Sequence, residues 1–403
     1  MEPDAMSYAQ AEFIVRYQRM RGRNIFYPMG FDDNGLPTER YVEKTYGINK
    51  RKTTRKQFRE LCLQVTSQGI AQYEQLWRAL GLSVDWRLRY STIDEHCHRT
   101  AQKSFLELYR TGRIYRSNEP VLWDIHFETA LAQADLESTE RKSKLHEVMF
   151  RTTSGVPLVI ATTRPELIPA CVALYCNPKD PRYKELIGKF ATVPLFNREV
   201  PIMADQDVST YFGTGLMMVC TFGDGEDVRR WKRDHLDIRL CIRPDGKMSE
   251  LAGPYESLTI DEARKRILAD LQSAGLHRGS TPLDQIVSVS ERSGVPVEFV
   301  MAPQWFVKLL DLKSKLSARS GELRWFPEWM KVRLEHWIEG LKYDWNISRQ
   351  RFYGVPFPVW FCANCNEVIL ANPGTLPIDP LEDPCPVSTC PNYGNKDLRG
   401  IRM

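Results

Sequence analysis

Apolar positions in residues 8–21 recur at helical spacing. Ala9, Phe13, Tyr17 and Met20 stand four, four and three apart on one face, and Gly22 closes the run. Residues 24–29 then read as a short buried strand. It feeds a polar loop, Gly30-Phe31-Asp32-Asp33-Asn34-Gly35-Leu36-Pro37. A helix, a strand and a polar loop at the strand's carboxyl end follow the order of an open α/β sheet, which binds ligands beyond its strand ends. Two helical stretches come next, residues 51–80 ended by Gly81 and residues 100–110 ended near Gly112. From Val148 the pattern shortens into β-rich runs, residues 157–161 and 215–220, broken by Pro and Gly. One helix, residues 259–274, interrupts this texture, which lasts to about Val300. From Trp305 helical, aromatic-rich sequence returns. The pattern predicts one domain inserted into another, with the first boundary near residue 145.

Composition narrows the classes. The chain carries 55 basic and 51 acidic residues, a net charge of only +4, so any contact with RNA must come from local patches. No apolar run approaches the length of a membrane span, and the amino terminus shows no secretory pattern. Ten cysteines without such a signal predict reduced thiols and a cytoplasmic protein, with metal binding as the use of any close pairs.

Cys362 and Cys365 form a C-x2-C knuckle, followed by Cys385 and Cys390 at C-x4-C. Four soft thiolates in two close pairs suit tetrahedral zinc, and a closed four-thiolate site is structural rather than catalytic. Unpaired cysteines in a surface loop are the competing reading.

Two further runs are weak singly. Thr162-Thr163-Arg164-Pro165-Glu166 ends a strand and reads equally as a helix start, with a threonine cap and Pro165 at the first helical position. Phe212-Gly213-Thr214-Gly215 precedes a strand, and Asp224 and Asp227 follow it three apart. If a helix starts there, both carboxylates could simply complement its dipole.

Together with Gly30 to Glu39, Pro303-Gln304-Trp305-Phe306-Val307-Lys308 and Trp345-Asn346-Ile347-Ser348-Arg349-Gln350, these runs stand in the order and spacing of a known family. The chain resembles the class I aminoacyl-tRNA synthetases, and the valine-specific members best. Asp33-Asn34-Gly35-Leu36-Pro37-Thr38-Glu39 resembles the valine form rather than the isoleucine one, and Thr163-Arg164-Pro165-Glu166 resembles valine or leucine editing sites rather than isoleucine ones. The resemblance covers essentially the whole chain. It implies an α/β fold: a partial Rossmann-like nucleotide-binding domain interrupted by an inserted β-rich editing domain, with a small zinc-binding subdomain. The corresponding divisions are residues 1–145, 146–300, 301–360 and 361–403.

The resemblance also implies roles. Asp227 would hold the α-amino group of a misattached amino acid, and Asp224 would bind a threonine hydroxyl or position water. Thr162, Thr163, Arg164 and Glu166 would line the pocket and hold the terminal adenosine of tRNA, with Phe212 packing near it. Asp32 would bind the ammonium of valine, and Trp305 and Ile347, with Phe352 as a further candidate, would shape its apolar pocket. Trp305 could equally be plain core. Many relatives carry a lysine and a threonine where this chain has Met218 and Cys220, which puts the water-positioning network in question. Zinc, ATP and Mg2+ are the implied cofactors; tRNA(Val), valine, ATP and the remaining part of a synthetase are the implied partners.

The family's two ATP signatures are not found. The first histidine is His96, and Lys247-Met248-Ser249-Glu250 lies inside the β-rich part without a second lysine. The expectation is an interior portion of a valine-specific synthetase that retains an editing deacylase but does not itself aminoacylate. A stand-alone trans-editing hydrolase and a non-catalytic tRNA-binding module are the alternatives.

Overall fold

The computed structural model describes residues 2–48 and 52–400, so the expected helix start at Arg51 lies outside the described residues. The chain forms two compact units, Met1–Ile114 with Gln350–Met403, and Tyr115–Arg349.

The first unit opens with α1 (Glu2–Met20), followed by Gly22 at φ +74°, a left-handed position that suits glycine. Strand β1 (Pro28–Phe31) lies two to four residues later than the apolar run suggests. Helix α2 (Leu36–Tyr46) starts at Leu36, where the pattern predicts loop through Pro37; Pro37 in its first turn costs no helical hydrogen bond. Helix α3 (Arg55–Ala79) is capped by the Thr54 hydroxyl, which accepts from Gln57 N. Strand β2 (Asp85–Ser91) pairs parallel with β1, and α4 (Glu95–Arg110) is capped by Asp94.

The second unit contains β3 (Ile114–Asp124), β4 (Thr129–Ala130), β5 (Leu136–Thr152), β6 (Pro157–Thr162), β7 (Cys171–Cys176), β8 (Phe190–Val193), β9 (Arg198–Ala204), β10 (Leu216–Cys220), α5 (Gly225–Asp234), α6 (Ile260–Ser273), β11 (His277–Ser290), β12 (Glu298–Val307), α7 (Lys313–Glu322), α8 (Lys331–Glu339) and β13 (Trp345–Asn346). Seven strands form one sheet in the order β10-β7-β9-β8-β5-β11, with β6 also on β5. Four form a second, β13-β12-β3-β4. Every residue of β7 is buried, as expected of an apolar strand inside a covered sheet. Helix α6 lays Ala263, Ile267 and Leu271 on the core at spacings of four, and Thr259 and Glu262 close a capping box at its start.

The change of texture near residue 145 falls within β5, one continuous strand, because its first part forms a two-stranded ribbon with β11 before joining the sheet. The chain then returns to the first unit, where β14 (Val359–Cys362), β15 (Val368–Leu370) and β16 (Leu398–Gly400) make a small antiparallel sheet in the order β15-β14-β16. Among the described residues no helix is long and apolar enough to cross a membrane.

Candidate functional site

Strand β6 ends at Thr162, whose hydroxyl accepts from Arg164 N at 3.0 Å and turns the chain. Pro165 then begins a buried 3-10 helix, Pro165–Ala170. Proline thus occupies the first helical position, but the threonine closes the turn rather than capping the helix. Across the sheet, β10 ends at Cys220, opposite Cys171 of β7. Thr221 N donates to Ala170 O at 3.3 Å, and the Cys220 thiol donates to Leu167 O at 3.2 Å. The turn after β6 and the loop after β10 are therefore stitched side by side.

Asp224 and Asp227 do begin a helix. Asp224 caps α5 by accepting from Asp227 N at 2.9 Å, and its side chain is exposed. Asp227 turns inward, and its Oδ2 accepts from Cys220 N at 3.2 Å and Gly223 N at 3.1 Å. Burial, then the neighbouring Asp224 charge, pushes the Asp227 carboxyl well above the usual carboxylate range, against the pull of those two N–H groups. A Cβ at Gly223 would stand 2.5 Å from Asp227 Oδ2, so a larger residue would displace that carboxylate.

Arg164 joins the two segments. Its Nη1 donates to Gly223 O at 3.1 Å, its Nε to Glu166 at 3.0 Å, and its Nη2 to both Glu298 oxygens at 2.8 Å. Glu166 is fully buried and also receives Arg264 at 2.8 and 2.9 Å. Burial opposes ionisation of Glu166, but the Arg264 hydrogen bonds and the Arg164 charge outweigh it and hold its carboxyl below the usual range. Two buried carboxylates and two partly buried guanidiniums thus alternate in one hydrogen-bonded array.

Phe212 is exposed on the loop before β10, and Gly213 beside it approaches β6 so closely that a Cβ would stand 2.9 Å from Ala161 Cβ. Thr163 is half-buried. His146 pairs in register with Thr162, and its Nδ1 lies 3.2 Å from His277 Nε2. Thr162, Arg164, Glu166, Asp224 and Asp227 are thus gathered on neighbouring turns, with the Phe212 loop against the same strand. The sequence reading missed Glu298, Arg264 and His146. Only Glu298 carried a signal, as a lone carboxylate in the apolar run Val295-Pro296-Val297-Glu298-Phe299-Val300.

The other expected residues lie elsewhere. In the first unit Asp32 is exposed after β1 and accepts from the Thr92 hydroxyl at 3.1 Å. Phe352 is core, packed edge-on against Phe58. In the second unit Trp305 on β12 is fully buried, and its carbonyl accepts at 2.9 Å from the N–H of Ile347, the residue after β13. Lys247 and Met248 form isolated β-bridges, Met248 is core, and Ser249 caps a short 3-10 helix that begins at Glu250.

Cys362, Cys365 and Cys390 place their sulfurs within 4.8 Å of one another, a spacing that fits three thiolates around one soft metal. Backbone N–H groups of Cys365 and Asn364 help draw the Cys362 thiol down to about 7. Cys385 stands outside this group. Pro384 and Pro386 flank it and fix the φ of the chain on either side.

The family model for tRNA synthetases class I (I, L, M and V) matches residues 4–376. The valine--tRNA ligase of Rickettsia rickettsii (strain Sheila Smith) is 47% identical over 381 residues, covering 94% of this chain and 47% of the relative. That of Thermoplasma acidophilum is 43% identical over 394 residues, covering 98% and 50%. That of Ehrlichia canis (strain Jake) is 43% identical over 385 residues, covering 94% and 48%. The chain spans about half the length of these curated relatives. With that match running through both units, the chain belongs to the class I tRNA synthetases (I, L, M and V), and the relatives it matches are valine--tRNA ligases.

Proposed function

We propose that the chain is part of a valine--tRNA ligase, which joins valine to tRNA(Val) with ATP and Mg2+, and that its β-rich part hydrolyses threonyl-tRNA(Val). The observation that carries the second half is the bridge from Arg164 to the Gly223 carbonyl, which makes the turn after β6 and the acidic loop a single polar surface.

The chemical need is clear. Valine and threonine are nearly isosteric, and an apolar pocket cannot strongly reject a hydroxyl in place of a methyl, a limit for which valine-specific synthetases are themselves the standard example. A second site must read the hydroxyl with polar groups. Asp224, exposed at the amino end of α5, accepts that hydroxyl or orients water. Asp227 takes the α-ammonium; the arriving cation supplies the counter-charge that favours its ionised form. Thr162, Thr163 and Phe212 face the terminal adenosine, while Arg164 and Glu166 hold the pocket wall. Ester hydrolysis by a held water needs orientation and electrostatics rather than a covalent nucleophile.

Asp32, exposed after β1 in the first unit, serves the synthetic reaction as the carboxylate for the ammonium of valine. Cys362, Cys365 and Cys390 hold a structural zinc ion, which when bound ties β14 to the loop that carries Cys390.

The test is release of threonine from threonyl-tRNA(Val) by the purified chain. The proposal expects turnover that Asp227→Ala reduces at least about 100-fold, the scale of losing an orienting electrostatic group. Equal rates for the two proteins would refute it.

A further inference from the structure

Glu298 stands at the first position of β12, in the four-stranded sheet, whereas the residues of the proposed deacylation site ride on the seven-stranded one. Its side chain nonetheless reaches Arg164, 134 positions earlier in sequence, with two hydrogen bonds of 2.8 Å. Only 5% of Glu298 is exposed, so the carboxylate faces the guanidinium and not solvent.

A guanidinium is planar and rigid, so two of its edges fix the third. Glu298 holds Nη2 and Glu166 holds Nε, which leaves Nη1 aimed at Gly223 O. The Gly223 carbonyl belongs to the peptide that leads into Asp224, while the N–H of the same glycine donates to Asp227. These two groups lie on adjacent peptide planes hinged at the Gly223 Cα, so a shift of Gly223 would disturb both acidic residues. Glu166 holds only the Nε edge of the guanidinium and also receives Arg264, whereas Glu298 takes Nη2 with both of its oxygens.

We infer that Glu298 is a positioning residue of the deacylation site: by pressing Arg164 against the Gly223 carbonyl it sets where Asp224 and Asp227 stand, without meeting the substrate. This rests on the deacylase reading above. It places the control of that site partly in the four-stranded sheet.

The experiment measures threonine release from threonyl-tRNA(Val) by the full chain, by Glu298→Gln, by Glu298→Asp, and by Arg164→Met alone and combined with Glu298→Gln. Melting temperatures are recorded for each. Glu298→Gln should lower kcat about 10- to 100-fold, the scale of an ångström-level misplacement, with KM changed less than about threefold. Glu298→Asp keeps the charge and should recover part of the loss. In the Arg164→Met background Glu298→Gln should cost less than about twofold, because the group it acts through is gone. That cycle also decides the matter if Glu298→Gln alone folds poorly, since removing both partners leaves no unpaired buried charge. The inference is overturned if folded Glu298→Gln keeps the original kcat, or if the two losses multiply in the double variant. Absence of threonine release by the unaltered chain is a different result: it removes the deacylase reading itself, and the positioning role with it.

Discussion

Asp227 concentrates the chemistry of the site in one side chain. Its carboxyl is displaced upward by burial and by Asp224, so the ionised form is disfavoured in the folded protein relative to the unfolded chain. The sign follows. For a carboxyl raised on folding, the stabilising contribution is complete below the ordinary aspartate value and is lost as pH rises through the raised value. Asp227→Asn removes that loss while keeping an oxygen to accept from Cys220 N and Gly223 N. The expected outcome is a melting temperature a few degrees higher at pH 7, roughly the effect of 1 kcal/mol, with the gain fading toward pH 4 and threonine release abolished. Thermal melts across pH check this, and a variant less stable at every pH would contradict it. Glu39 illustrates a different residue-scale lesson. It ends a motif that was recognised only by resemblance, yet it is fully buried and accepts from Phe352 N at 2.7 Å and Tyr353 N at 2.9 Å. Its place in the motif is explained by main-chain anchoring within the first unit.

At the scale of elements, local signals were legible and distant ones were not. The helix over 259–274, the stop at Gly81 and the strand 157–161 are written in contiguous residues, and the structure has them. Helix α2 was hidden because Gly35, Pro37 and two aspartates read as loop, although Pro37 suits a first turn. The Arg164–Glu298 pair is legible only by half: the lone carboxylate in its apolar run calls for a partner, but nothing in either segment says which residue, 134 positions away, supplies it. The cysteine set is gathered in part. Four cysteines in two pairs suggest four ligands, but the fold gathers Cys362, Cys365 and Cys390 and leaves Cys385 aside. Zinc analysis of purified protein should therefore give one ion per chain, lost in Cys390→Ser with a fall in melting temperature. Cys385→Ser should retain most of it. Equal loss in both variants would return Cys385 to the ligand set.

For the molecule as a whole, the alternation of helical and β-rich texture foretold an α/β chain with a β-rich interruption, because periodicity is set by burial on one face and survives in sequence. The edges of that interruption were less legible. Strand β5 crosses the expected boundary near residue 145, and the compact second unit extends from Tyr115 to Arg349. All residues of the proposed deacylation site, Glu298 included, belong to that unit. A protein consisting of residues 115–349 is expected to fold cooperatively and to retain threonine release within about tenfold of the full chain; an unfolded or inactive product would show that the unit does not carry the site alone. The most direct measurement compares threonyl-tRNA(Val) with valyl-tRNA(Val) as substrates of the full chain. A site that reads the hydroxyl through Asp224 and the ammonium through Asp227 predicts hydrolysis of the threonyl ester at least about 100-fold faster than of the valyl ester. Equal rates for the two esters, or rates no greater than spontaneous hydrolysis, would contradict it.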